Sequence, residues 1–125
     1  WGVSTGHVAT GYFKWAGITA VGARVYAAPY EAPNLLVMDA WTEEAWGVGT
    51  EHVAPWSSYK WSGIIAVGTR VYAAPSGAPD LLVVDVGTEE AWGVSTEHVA
   101  SRFFTWAAAT ADGTRVFAAP YVAPN

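Results

Sequence analysis

One unit written almost three times constrains this chain more than any other feature. Residues 15 to 46 read WAGITAVGARVYAAPYEAPNLLVMDAWTEEAW, and residues 61 to 92 read WSGIIAVGTRVYAAPSGAPDLLVVDVGTEEAW. From Trp106 the text starts again as WAAATADGTRVFAAPYVAPN and stops at Asn125. Trp1, Trp46 and Trp92 lie 45 and then 46 residues apart, and Arg24, Arg70 and Arg115 lie 46 and then 45 apart. The slip has one source: the middle copy carries VAPWSSYK where the others carry VATGYFK and VASRFFT. A tolerated insertion of one residue marks a surface loop. A period of roughly 40 to 50 residues points to propellers, helical arrays or other repeat folds.

Inside the unit the apolar residues come in short runs bounded by breakers, with no helical stripe. ITAVG or IIAVG is the first run, RVYAAP the second, LLVMD or LLVVD the third and EEAWGVST the fourth. Each has strand length, is rich in β-branched or aromatic residues and ends at Gly, Pro or Asp. Gly22, Gly68 and Gly113 stand between the first and second runs, where a tight hairpin needs positive φ at no steric cost. The prolines of PYEAPN and PSGAPD exclude a helix between the second and third runs. Asp39 and Asp85, with Thr42 and Thr88, are placed to accept backbone amides two or three residues on, so the TEEA stretch is expected to be a turn. Four antiparallel strands per repeat follow.

The expected fold is all-β, with four-stranded antiparallel blades of a β-propeller, about three repeats, and incomplete blades at both ends. The alternative is a three-fold β-trefoil. The propeller is preferred because runs such as LLVV are apolar on both faces, as in a strand covered from both sides. The pattern G-x-x-A-V-G-x-R-V-Y-A-A-P followed by L-L-V-x-D-x-x-T-x-x-x-W resembles a kelch-type blade, and is similar to kelch-like propeller repeats of algal proteins. Ala-Pro stands where a kelch blade carries Gly-Gly after its second strand. The resemblance covers nearly the whole chain and implies a blade, not an activity.

In order along the chain, residues 1–9 match a fourth strand, 15–54 and 61–100 each make a blade, and 106–125 supply the first two strands of another. Open blade edges leave backbone groups unpaired and an apolar face uncovered. The chain is therefore expected to be a segment of a longer propeller, or a protomer completed by other protein chains or further copies of itself. Two such chains would supply about six blades, yet each broken blade would still lack its third strand.

Composition removes several classes of function. The net charge of −5, with six scattered Lys and Arg residues, argues against nucleic acid, which requires a clustered basic surface. The lack of cysteine removes a disulfide scaffold and a thiolate zinc site. Gly, Pro and charged residues interrupt every apolar run before it could span a bilayer.

His7, His52 and His98 recur after the fourth run, and could converge as metal ligands or hold a turn in each blade; repetition at equivalent positions favours the turn, and no metal or other cofactor is expected. Arg24, Arg70 and Arg115 are expected to pair with blade carboxylates such as Asp39 and Asp85 rather than with an anionic ligand. Trp46 and Trp92 belong with these structural positions. Glu43-Glu44 and Glu89-Glu90 are expected to be solvated turn charges.

Positions that differ between copies are the ones the scaffold does not explain. They include Tyr12, Phe13 and Lys14 in the first copy, Trp56, Tyr59 and Lys60 in the second, and Arg102, Phe103 and Phe104 in the third, with Tyr30, Glu31 and Tyr121 in the other loop. Aromatics mixed with basic residues suit a protein-binding rim, with packing between blades as the competing reading. The expected function is a non-enzymatic binding or scaffold protein acting in a larger assembly. The alternative is a lectin-like protein with carbohydrate sites between blades. An enzyme would need a convergent polar cluster that the copies do not display.

Overall fold

A computed structural model describes residues 1–55, 58–99 and 106–120. Every regular element in it is a strand. β1 (Trp15–Val21), β2 (Arg24–Pro29), β3 (Asn34–Asp39) and β4 (Ala45–Gly49) form one sheet in sequence order. β5 (Trp61–Val67), β6 (Arg70–Pro75), β7 (Asp80–Asp85) and β8 (Ala91–Ser95) form a second, and β9 (Trp106–Asp112) pairs with β10 (Arg115–Pro120) in a third. All pairings are antiparallel. The described residues are therefore all-β, with two complete four-stranded meanders and one hairpin.

Local chemistry explains each meander. Val21 pairs with Arg24 across a two-residue turn whose first residue, Gly22, has φ 58°, and Gly68 and Gly113 repeat that value. A side chain there would cost about 1–2 kcal/mol, which is why glycine recurs. At the third turn Asp39 Oδ1 accepts the amides of Trp41 at 2.9 Å and Thr42 at 3.1 Å, and Thr42 Oγ1 accepts the amide of Glu44 at 3.3 Å. Asp85 and Thr88 make the same three bonds to Gly87, Thr88 and Glu90. These bonds hold Glu43 and Glu89 at φ 58°, so TEEA is a turn, as the sequence leads one to expect.

The sheets stack face to face. One core joins Tyr26, Leu35 and Val37 of the first sheet to Trp61, Ile64, Val71, Leu82 and Val84 of the second. The first strands of successive repeats approach closely: a Cβ on Gly17 would lie 3.2 Å from Gly63 Cα. Ser62 Oγ donates to the Trp106 carbonyl at 3.1 Å, linking β5 to β9 in the same way. β7 lies inside this stack and buries both faces of LLVV, with Leu82, Val83 and Val84 all buried, whereas β3 buries one face of LLVM through Leu35 and Val37 and leaves Leu36 and Met38 half-buried on the other. Each buried side chain contributes about 1.5–3 kcal/mol.

Residues 1–9 differ from expectation: they form no strand. β4 and β8, by contrast, are held on β3 and β7. The turn after the expected strand is nevertheless kept. Val8 and Ala9 donate to the Thr5 carbonyl at 2.9 and 3.2 Å, as Val53 and Ala54 donate to Thr50 at 3.0 and 3.2 Å.

Candidate functional site

Where one repeat meets the next, the same cleft is built twice. The first, with a cavity volume of about 500 Å³, is lined by Val3, Ser4, His7, Glu43, Glu44, Ala45 and Trp46. The second, about 560 Å³, is lined by Val48, Gly49, His52, Glu89, Glu90, Ala91 and Trp92, the equivalent residues one repeat on.

The histidines do not hold a turn within their own blade. His7 Nε2 lies 2.7 Å from the Ala45 carbonyl, and His52 Nε2 lies 2.7 Å from that of Ala91. A carbonyl only accepts, so Nε2 carries the proton in both. Each imidazole thus ties one repeat to the start of the fourth strand of the next. His98 occupies the equivalent turn and is exposed. Among the described residues no group of three His, Cys, Asp or Glu side chains could hold a metal ion.

Arg24 and Arg70 lie over indole rings as well as near carboxylates. The guanidinium carbons stand 5.2 Å from the Trp46 centroid and 5.1 Å from the Trp92 centroid, a contact worth about 0.5–1 kcal/mol at an exposed site. Arg70 Nε reaches Asp85 Oδ2 at 3.9 Å, the pairing expected from sequence. Arg115 starts β10 and is exposed. Backbone amides at the turns hold the Asp39 and Asp85 carboxyls below the ordinary range, with the nearby arginines adding to the effect. Trp46 Nε1 donates to Glu89 Oε1 at 2.8 Å, so one exposed turn glutamate of the second cleft also bonds between repeats.

The variable residues divide into two sets. Tyr30 and Tyr59 pack on each other with centroids 5.0 Å apart and an interplanar angle of 47°, joining the loops of neighbouring repeats. Lys60 is buried; its backbone amide donates to the Tyr30 carbonyl at 2.8 Å and its ammonium to that of Ala32. These contacts fit the competing reading of packing between repeats, although Tyr59 keeps 37% of its surface exposed. Tyr12 and Phe13 are exposed, and Phe13 sits at φ 49°. The Lys14 ammonium lies 5.1 Å from the Trp15 ring centroid and 3.4 Å from the Ala9 carbonyl. Glu31 is exposed, with its amide bonded to the Phe13 carbonyl at 3.1 Å. Trp56, Arg102, Phe103, Phe104 and Tyr121 lie outside the described residues.

Sequence reasoning passed over Trp41, which is 87% exposed in the third turn. Its signal was available, since Gly87 holds the equivalent position. Among the described residues no helix is long and apolar enough to cross a membrane. The chain matches no family model, no curated protein and no solved structure.

Proposed function

We propose that this chain is a non-enzymatic binding or scaffold unit, part of a kelch-like propeller whose remaining blades come from other protein chains or further copies of itself. The observation that carries this reading is a pair of equivalent residues. Ile64 is 5% exposed because the first sheet covers it, whereas Ile18, on the same strand position one repeat earlier, is 71% exposed. The outward face of β1 thus carries the apolar chemistry that β5 buries. Separate meanders whose first strands lie side by side favour a propeller over a trefoil, which closes its strands into one shared barrel.

Sedimentation velocity over a concentration series tests the reading. Species larger than the monomer should form, and Ile18→Glu should abolish them while leaving the fold intact by circular dichroism. A stable monomer at every concentration, with no partner recovered at that face, sinks it.

The repeated cleft favours a second reading, carbohydrate binding between repeats. An indole edge, two carboxylates and an imidazole offer an apolar surface and hydroxyl acceptors in one concavity. A glycan array with no ligand above background removes this reading and leaves the first untouched.

A further inference from the structure

We propose that Tyr30 and Tyr59 form an oxidative cross-linking site, at which one-electron oxidation joins the two phenol rings through a carbon–carbon bond and staples the first repeat to the second. This goes beyond the assembly reading and holds with or without it.

Packing alone does not call for two hydroxyls here. The position of Tyr59 is Phe13 in the first copy and Phe104 in the third, and the position of Tyr30 is Ser76 in the second. Tyr59 and Phe13 share one backbone form, at φ 55° and 49°. The fold therefore accepts a plain phenyl ring where Tyr59 stands. At the next junction the corresponding letters are Ser76 and Phe104, whereas between the first and second repeats two phenols meet.

The geometry brings the rings together and holds them there. Their centroids are 5.0 Å apart with the planes tilted by 47°, a direct ring contact. The Lys60 amide donates to the Tyr30 carbonyl at 2.8 Å, and the Gly77 amide donates to the Tyr59 carbonyl at 2.7 Å, so backbone bonds fix both loops. Tyr30 is half-buried and Tyr59 is 37% exposed. An oxidant in solution thus reaches one ring and finds the second beside it.

Oxidation removes one electron and one proton from each phenol, giving two tyrosyl radicals whose unpaired spin resides partly on the ring carbons ortho to oxygen. One such carbon from each ring couples, and the hydrogen on each coupling carbon then moves to its phenol oxygen, which restores both aromatic rings. The chain loses two hydrogen atoms in all. The co-reactant is hydrogen peroxide acting through a haem peroxidase, which takes up the two electrons and two protons and leaves two waters. Holding the rings as neighbours makes the coupling effectively unimolecular and favours it over links between chains.

The test treats the 125-residue chain with peroxidase and hydrogen peroxide at a concentration where it is monomeric. A single-chain product lighter by two hydrogen masses and carrying dityrosine fluorescence should form, and proteolytic mapping should place the bond between Tyr30 and Tyr59. Tyr59→Phe should cut that product at least about tenfold, because the neighbouring phenol is what makes coupling fast, while circular dichroism shows the fold retained. Tyr12→Phe should leave the yield unchanged, although Tyr12 is 87% exposed. The linked chain should also unfold at a higher denaturant concentration than the unlinked one, since the bond closes a loop of the unfolded chain. No linked product, a product that survives Tyr59→Phe, or one made mainly through Tyr12 or between chains overturns the site. A linked chain with an unchanged unfolding midpoint overturns the staple.

Discussion

β1 and β5 begin with the same plan, Trp-x-Gly-Ile, and meet different surroundings. Trp61 is fully buried and Ile64 nearly so, while Trp15 is half-buried and Ile18 is open. Both tryptophans keep the same bond within their own sheet, Trp15 Nε1 to the Asn34 carbonyl at 2.9 Å and Trp61 Nε1 to that of Asp80 at 2.8 Å. Hairpin and turn geometry are thus set inside each repeat, and burial is set by the neighbour. The far side shows the same contrast, with Val48 6% exposed in β4 and Val94 49% exposed in β8. A single repeat specifies a meander; a second repeat is needed to give it a core.

That contrast can be broken most sharply at the tryptophans. Trp61→Ala should cost about 3–5 kcal/mol in denaturant unfolding, the range for a large buried aromatic. Trp15→Ala, with the bond lost but much less surface uncovered, should cost clearly less, and equal losses would remove the claim that the neighbouring repeat makes the difference. The isoleucines give the next largest effect. Ile64→Ala should cost about 2–5 kcal/mol, whereas Ile18→Ala should stay within about 0.5 kcal/mol at concentrations where the chain is monomeric.

Glycine separates local strain from inter-repeat crowding. Gly22→Ala meets nothing within 4 Å and should cost only the strain of its φ of 58°, about 1–2 kcal/mol. Gly17→Ala adds to the strain of its φ of 79° a Cβ at 3.2 Å from Gly63 Cα, so its cost should be greater. The difference between the two variants measures how firmly β1 and β5 are held together.

The smallest effect concerns the lysines. Burial pushes the Lys60 ammonium below the ordinary lysine value of 10.5, with Glu51 and Glu31 opposing the shift. The folded state then binds this proton less tightly than the unfolded chain. The penalty is present at neutral pH and is relieved as pH rises through the lowered value towards 10.5, so stability should rise with pH across that window. Lys60→Met should flatten the rise in a pH series of thermal unfolding curves, and Lys14→Met should leave it in place. A flat profile for the parent chain would contradict the assignment.

Much of the meander was legible because its signals are local. Gly22, Asp39 and Thr42 act on residues two to four positions away, and each wrote its own evidence into the repeat. The ties between repeats were not legible. His52 bonds to a backbone carbonyl 39 residues on, and a carbonyl leaves no residue preference to read. Lys14 and Lys60 carry the same letter at the same position, and only the presence of a preceding sheet makes one buried. Residues 1–9 show the converse: their letters match a strand, but strand formation requires a partner that the letters do not supply.

Native-state hydrogen exchange, followed by mass spectrometry at a concentration where the chain is monomeric, addresses the account most directly. Protection should be greatest in β5 to β7, which have a sheet on both sides, lower in β1 and β2, and lowest in β9 and β10. Equal protection of β1 and β5, or a β9–β10 hairpin as slow to exchange as β5–β6, would contradict it.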